Sequence, residues 1–300
     1  MPKSYKKPAL TFTDQLQLLH ERGLSIPDSK EAIKDLECNS YYRLSAYWYP
    51  FRIKKENVIT DQIRPKTTWG DIIELYEFDR KLRLLIIDAI DRIEIAVRTQ
   101  VTYTLAHSYG AFAHTDKVNF HSGFWHKKWL ESIEDEVQRS TEEFIQHYKR
   151  EYEGFPTIPI WMLTEVMSLG SLSRLYKGLE HHDKRQVAQH FDVHHKTLVD
   201  WLHTLTYVRN ICAHHSRLWN RELSIKPEKS KDKHWIPPIT PTNERLFYVL
   251  LMVRHLLKKM SCGDTWYQSC NELLEPIASN DLWRNAMGMP LDWKNHPIWK

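Results

Sequence analysis

The stretch Thr68–His107, TWGDIIELYEFDRKLRLLIIDAIDRIEIAVRTQVTYTLAH, decides the fold. Its apolar residues recur at steps of three, four or seven, at Leu75, Leu82, Ile86, Ala89, Ile93, Val97 and Val101. That spacing predicts one helix with a single buried stripe. Thr68 and Asp71 fit a capping box, with Asp in place of the usual Glu or Gln. At 1.5 Å per residue the helix would be roughly 60 Å long, so we expect it to be the scaffold of the fold.

The rest of the chain also carries helical patterns, and the predicted fold class is all-α. Further helices are predicted at residues 11–24, 28–38, 125–152, 161–179, 183–191, 194–215 and 243–260, the last capped by Asn243. Residues 53–67 and 222–241 indicate loops, and no segment shows a convincing strand pattern. We expect three parts: a small N-terminal helical and aromatic module at 1–64, a helical core at 65–263, and a tail of short helices at 264–300 whose tryptophans pack on the core.

The composition excludes several classes of protein. Lys and Arg number 42 against 38 Asp and Glu, a net charge of 42 − 38 = +4, which allows a polyanionic partner without requiring one. Only 9 glycines argue against a dinucleotide-binding fold. The longest apolar run, Phe247–Val253, is too short for a bilayer, and no signal peptide is visible. The four cysteines form no CxxC pair, so we expect free thiols, a cytoplasmic location and no metal or other cofactor.

One segment concentrates the residue types that carry chemistry: Arg209–Arg221, RNICAHHSRLWNR. It lies at the end of the helix predicted at 194–215. Asn210 and His214 are four residues apart and share a helix face. Arg209 precedes His214 by five residues, about 140° round an ideal helix, so its long side chain or a distorted last turn has to close that gap.

These residues suit cleavage of RNA without a metal. His214 can take the proton from a 2′-hydroxyl or give one to the leaving oxygen. Arg209 can hold the phosphate and stabilise the extra charge of the transition state. Asn210 can orient the histidine or bind a phosphate oxygen, and the products would be a 2′,3′-cyclic phosphate and a 5′-hydroxyl. Spacing alone leaves a structural alternative open, in which Arg209 pairs with a carboxylate and His214 is hydrogen-bonded in the core.

A resemblance favours the catalytic interpretation. Arg209-Asn-x3-His214 resembles the R-x(4–6)-H motif of HEPN ribonucleases, and the wider segment Arg209–Arg221 resembles the Abi-like abortive-infection proteins of the AbiD/AbiF type. Other stretches resemble the same family, namely Tyr41–Tyr47, Leu75–Arg83, Arg92–Arg98, Pro159–Met162, Glu165–Ser173 and Met287–Trp293. The similarity extends over roughly residues 5–300.

The resemblance implies a bacterial phage-defence protein whose HEPN-like helical bundle cleaves RNA. HEPN domains commonly dimerise, so that two R-x4-H motifs face each other across one composite site. The chain holds one good copy of the motif, which favours a homodimer. Some family members are held in check by a small noncoding RNA, and such an RNA is a candidate partner here. In toxin–antitoxin pairs with nucleotidyltransferases, HEPN proteins often carry R-x4-H-x-Tyr; here Ser216 stands at the Tyr position, which weakens such a pairing.

Basic and aromatic residues outside the trio predict where RNA is held. This set comprises Arg217, Arg221, His215, Lys6, Lys7, Arg43 and Tyr42. Lys226, Lys229, Lys231 and Lys233 add a charged loop after the motif, which serves RNA binding or plain solubility.

Several alternatives stay open at this point. His215 replaces His214 as the catalytic histidine if the motif has five residues between the arginine and the histidine. His190 and His194 are spaced for a metal, but no carboxylate motif accompanies them. A second function is a non-catalytic protein that holds a structured RNA through the same basic and aromatic surfaces. A third is a helical interaction module in which residues 209–221 are only a packed helix end.

Overall fold

A computed structural model describes residue 4 and residues 8–228 and 233–300. It is 64% helical, which confirms the all-α prediction. The chain divides into two compact units, Met1–Lys81 and Leu82–Lys300. The three-part domain organisation expected from the sequence stays a prediction. Within the described residues, no helix combines the length and apolar character needed to cross a lipid bilayer.

The first unit begins with three short helices: α1 (Phe12–Glu21), α2 (Ser29–Asn39) and α3 (Tyr41–Trp48). Thr11 and Asp14 form a capping box at α1, and Asp28 caps α2. A buried hydrogen bond from the Tyr47 hydroxyl to Asp79, 2.7 Å long, ties α3 to the segment that ends this unit.

A β-hairpin lies where the sequence predicts a loop at 53–67, so that prediction is wrong for most of its length. Strand β1 (Arg52–Lys55) pairs antiparallel with β2 (Val58–Ile63). The connecting residues Glu56 and Asn57 have φ of 46° and 65°, the left-handed values of a two-residue hairpin turn. Neither supplies the Asn-Gly or Asp-Gly signal of such a turn, and most strand side chains stay exposed, so the alternation that marks a strand is missing.

The predicted long helix is confirmed as α4 (Trp69–Tyr109). Thr68 and Asp71 form the expected capping box: the Thr68 N–H donates to Asp71 at 2.7 Å, and the Asp71 N–H donates to the Thr68 hydroxyl at 3.2 Å. All seven residues of the predicted stripe are buried. Residues 69–81 belong to the first unit and residues 82–109 to the second.

The remaining helices all belong to the second unit. They are α5 (His126–Arg139), α6 (Glu143–Glu151), α7 (Ile160–Val166), α8 (Leu169–Gly178), α9 (His181–His190), α10 (His195–Ala213), α11 (Leu246–Lys259), α12 (Asp264–Ala278) and α13 (Asp281–Ala286). Helix α10 packs against α8 and α9. Eleven of the 14 residues of α11 are buried, so it is the most enclosed of these helices.

Two helices predicted as continuous are each divided. The prediction at 125–152 is α5 and α6, separated by Ser140 in extended conformation. The prediction at 161–179 is α7 and α8, because Met167 is extended and Ser168 caps α8. Glu136 of α5 accepts hydrogen bonds from the Ser168 N–H and the Ser171 hydroxyl, so a contact distant in sequence stabilises the break.

The C-terminal tail packs on the helices of its own unit, as the sequence predicts. The side chains of Trp266, Trp293 and Trp299 are buried. The Trp266 indole donates to the Leu85 carbonyl of α4 at 2.8 Å, and the guanidinium of Arg254 donates to the Trp299 carbonyl at 3.2 Å. The predicted cap of α11 is wrong: the N-cap is Arg245, and the amide of Asn243 donates instead to the Pro227 carbonyl.

We expect acid to destabilise the tail through His296. Burial lowers the pKa of this imidazole to about 4. The neutral form is the one that fits, because Nδ1 accepts from the Ile298 N–H while Nε2 lies 2.9 Å from the Thr240 hydroxyl, which itself donates to the His234 carbonyl. The unfolded chain binds more protons between pH 6.5 and 4, so stability falls as the pH is lowered through that window, on the order of 2 kcal/mol from this group.

The measurement is urea unfolding at a series of pH values. His296→Gln should be less stable than the parent at pH 7 and should lose less stability between pH 6.5 and 4. The exposed His107→Gln is the control and should follow the parent curve. An unchanged pH dependence in His296→Gln would contradict the assignment.

Candidate functional site

The candidate site lies at the end of α10. Leu198, Trp201, Leu202, Leu205 and Val208 bury one side of the helix. The helix is regular through Ala213, and His214 is its C-cap. The His215 N–H donates to the Cys212 carbonyl, and the Ser216 N–H donates to the Ile211 carbonyl. This pair of bonds is a Schellman motif, and His215 occupies its left-handed position with φ of 54°.

The three predicted catalytic side chains lie in the last two turns of α10 and at its C-cap. Asn210 and His214 are exposed, and Arg209 is half-buried. Within the described part of the chain, none of the three side chains makes a hydrogen bond or an ion pair shorter than 4 Å. The alternative that places His214 in the core is therefore wrong. Asn210 contacts His214 through its backbone carbonyl, which accepts the His214 N–H at 3.0 Å.

The angular gap between Arg209 and His214 is not closed by the helix. Because the turns up to Ala213 are regular, the two side chains leave the helix about 140° apart. The distorted last turn that the sequence allowed is absent from this helix end. Any convergence of the two groups has to come from the length of the arginine side chain or from a second molecule.

Glu94 of α4 is the acidic group that faces Arg209. Burial raises the pKa of Glu94, and the positive charges of Arg98 and Arg209 oppose that rise. The guanidinium of Arg98 lies 2.6 Å from the Glu94 carboxylate and 3.0 Å from the Met167 carbonyl. Glu94 thus stands between two arginines on neighbouring helices. The sequence shows a Glu–Arg pair four residues apart, but it carries no sign that Arg209 approaches the same carboxylate.

Arg83, also on α4, supports the turn that follows the motif. Its buried guanidinium donates to the Ser216 carbonyl at 3.5 Å. The sequence predicts that the charges of α4 form pairs within the helix. That prediction is confirmed for Arg92 with Asp88 and for Arg98 with Glu94, both four residues apart. The contact of Arg83 with Ser216 joins residues 133 positions apart in the sequence, so no local pattern indicates it.

The chain turns back along α10 after the motif. Leu218 and Trp219 are buried, and the Ser224 N–H lies 3.4 Å from the Tyr207 hydroxyl of α10. Arg217 and Arg221 are half-buried on this segment, and Nε of Arg221 donates to the Arg217 carbonyl at 2.9 Å. Of the predicted RNA-binding residues, the structure places His215, Arg217 and Arg221 on the segment that follows α10.

The other predicted RNA-binding residues belong to the first unit. The ring of Tyr42 is 89% exposed, and Arg43 is half-buried beside it on α3. The neighbouring Tyr47 and Trp48 are core residues. Lys6 and Lys7, like Lys229 and Lys231, lie outside the described residues. Lys226 pairs with Glu244 at 2.8 Å, so its charge is neutralised by a neighbour.

The histidine-rich region around α9 does not assemble a metal site in the described residues. No group of three or more His, Cys, Asp or Glu residues there is arranged to hold an ion. The His194 ring instead caps α10 by accepting from the Lys196 N–H at 3.4 Å. The four cysteines are all free thiols.

The chain matches the model of the Abi-like protein family over residues 34–220, more than half of its 300 residues. The protein therefore belongs to the Abi-like family, and membership implies a role in abortive infection, a defence against phage. The matched region contains α4 and α10 with Arg209, Asn210 and His214. No curated protein and no solved structure matches the chain.

We expect His215→Gly to be more stable than His215→Ala, because both variants lose the interactions of the imidazole and only glycine relieves the backbone. A non-glycine residue in the left-handed conformation costs about 1 kcal/mol, which glycine does not incur. The difference should appear as a higher urea midpoint with an unchanged slope. The same pair at His214 is the matched control: its backbone has ordinary negative φ of −87°, so His214→Gly should be less stable than His214→Ala. His215→Gly no more stable than His215→Ala would contradict the proposed cost.

Proposed function

We propose that this Abi-like protein is a metal-independent RNA endonuclease of phage defence, with an HEPN-type site made by Arg209, Asn210 and His214. His214 moves the proton between the 2′-hydroxyl and the leaving 5′-oxygen. Arg209 binds the scissile phosphate and stabilises its added charge in the transition state. Asn210 binds a phosphate oxygen or orients the substrate.

The observation that carries this proposal is the state of the three side chains. They lie in the last two turns of α10 and at its C-cap, and among the described residues none of the three side chains makes a hydrogen bond or a close ion pair. An arginine or histidine with a purely structural role is usually buried and bonded within the protein. An arginine, an asparagine and a histidine with free donors near one helix end are available to a ligand that offers anionic oxygens.

Glu94 acts on Arg209 as a positioning residue in this proposal. Its carboxylate is held by Arg98, so it provides a fixed negative charge on the side of α4. That charge draws the guanidinium of Arg209 toward a defined place without a close ion pair. The arginine keeps its N–H donors for a phosphate.

A homodimer would supply the groups that one copy keeps apart. Ile95 of α4, which follows Glu94 in the sequence, is an apolar side chain that is more than half exposed. We propose it as a contact of the second copy. A second copy bound beside Ile95 brings its own motif next to the first. Arg209 of one copy can then act together with His214 of the other, although the two side chains are about 140° apart within one copy.

A noncoding RNA is the proposed restraint. Its support is the surface of the first unit, where the rings of Tyr42 and Tyr49 are exposed. Exposed rings of this kind stack on the bases of single-stranded RNA. The test is sequencing of the nucleic acid that co-purifies with the parent protein and with His214→Ala. One defined small RNA in both supports the restraint, and random fragments contradict it.

His214→Ala should reduce RNA cleavage at least 100-fold, because proton transfer by a placed group contributes that much or more. RNA binding should change little. The parent should cleave in EDTA, leave a 2′,3′-cyclic phosphate, and fail on a substrate with a 2′-deoxy residue at the cut. The exposed His107→Gln is the matched control and should keep the activity, while His215→Gly tests the alternative histidine.

Other results would favour the alternative functions. Tight RNA binding with no cleavage by the parent protein would indicate the non-catalytic RNA-binding protein. Cleavage lost in His215→Gly but kept in His214→Ala would move the catalytic role to His215. Binding that disappears with rising salt, with no cleavage, would leave an interaction module of mild positive charge.

Ile95→Asp should disrupt the dimer and reduce cleavage in parallel, because it replaces an exposed apolar side chain at the proposed contact with a charge. Light scattering after size exclusion gives the mass, and initial rates over a range of protein concentrations give the activity. Leu282→Asp, an equally exposed leucine on α13, is the control. A monomeric Ile95→Asp with full activity would contradict the composite site.

A further inference from the structure

The segment after the motif holds an arginine in a fixed place. The guanidinium of Arg221 is held through its Nε, which donates to the Arg217 carbonyl at 2.9 Å, and its positive charge acts on the Tyr207 hydroxyl. Ser224 meets the same hydroxyl with both its N–H and its side chain, at 3.4 Å each. Tyr207 therefore links the returning segment to α10 at the position of Arg221.

The charge of Arg221 is not neutralised by the acids around it. Glu222 lies within 4 Å of Lys226 and Arg245, and Glu244 pairs with Lys226. In the described part of the chain, no carboxylate forms an ion pair with Arg221. A preorganised, half-buried guanidinium without an anion has the properties of a phosphate-binding group.

The environment of Tyr207 agrees with this arrangement. Partial burial raises the pKa of its phenol, but hydrogen bonds with Ser224 and Arg221, together with the charge of Arg221, outweigh that effect and lower the pKa below its ordinary value. The phenol oxygen of Tyr207 and the charge of Arg221 therefore interact favourably.

The position along α10 relates Arg221 to the candidate catalytic histidine. Tyr207 and His214 are seven residues apart, within about 20° of two full turns, so both lie on one face of the helix. The rise between them is roughly 10 Å. Arg209, by contrast, leaves the helix about 140° from His214. Arg221 thus lies on the His214 side, two turns away from the helix end.

We propose that Arg221, held by Tyr207 and the Arg217 carbonyl, is a second phosphate subsite that binds a phosphodiester flanking the scissile one in single-stranded RNA. The strand runs along the face of α10 that carries Tyr207 and His214. Tyr207 is a positioning residue that acts through Arg221. This inference rests on the proposed RNA-cleaving function and adds the direction in which the substrate lies.

The experiment measures RNA binding in the His214→Ala protein, so that cleavage does not interfere. The probe is a fluorescent 12-nucleotide RNA of mixed sequence, with a single neutral methylphosphonate moved through successive positions. Arg221→Gln should weaken binding about 10-fold and reduce the slope of log Kd against log salt by about 0.7, the loss of one phosphate contact. One methylphosphonate position, to one side of the cut, should weaken binding to the parent and have no effect on Arg221→Gln.

Tyr207→Phe separates positioning from folding. It should weaken binding three- to five-fold and add nothing to Arg221→Gln in the double variant, since the hydroxyl acts through the arginine. Arg174→Gln is the matched control, because Arg174 is exposed and its Nε also bonds a backbone carbonyl. Thermal unfolding of each variant verifies that the fold is kept.

The outcomes distinguish this inference from the function on which it rests. If the parent protein cleaves RNA but Arg221→Gln changes neither the salt slope nor the methylphosphonate profile, the subsite is wrong and the nuclease proposal stands. If Arg221→Gln removes the methylphosphonate effect but the parent protein does not cleave RNA, the subsite is supported and the nuclease proposal is wrong. Equal losses in Arg174→Gln and Arg221→Gln would also overturn the subsite.

Discussion

The contact between α4 and the end of α10 is the constraint on which the candidate site depends. It has two parts, the buried Arg83 donating to the Ser216 carbonyl and the Glu94 carboxylate facing Arg209. The first fixes the turn that ends α10, and the second orients the arginine before that turn. Both groups come from one helix, so the spacing of Arg83 and Glu94 along α4 sets the placement of the motif. The tail reinforces the same helix through the bond from Trp266 to Leu85.

The elements that the sequence predicts well are those with a long local pattern. The stripe of α4 repeats over 27 residues and the Thr68–Asp71 cap is local, so both are evident without a structure. The helix breaks at Ser140 and Ser168 are not evident from the sequence, because a helical pattern continues across each of them. The break at Ser168 is also stabilised by Glu136, which belongs to a different helix. The hairpin is missed for the opposite reason: its strands are short and mostly exposed, and its turn uses Glu56 and Asn57 without glycine.

The candidate site divides in the same way. Arg209, Asn210 and His214 are contiguous enough to form a motif, and among the described residues their side chains make no hydrogen bond or close ion pair. Glu94, Arg83 and Tyr207 reach the site through contacts that are remote in sequence or depend on how the chain folds back. Glutamate, arginine and tyrosine occur at many positions that have no role in a site, so the sequence alone does not identify these three residues. The charges around the motif are organised by these contacts: acids such as Glu222 are taken by Lys226 and Arg245, while Arg221 and Arg209 keep donors free.

The left-handed backbone at His215 has a consequence for how the motif tolerates change in length. His214 caps α10 because the chain reverses at the next position, so the place of the histidine is set by the helix end and not by its distance from Arg209. Inserting one residue between them would keep a histidine at the cap while rotating the arginine by about 100° away from Glu94. A change in length after Ser216 leaves the direction of Arg209 unchanged, whereas a single-residue change before His214 alters it.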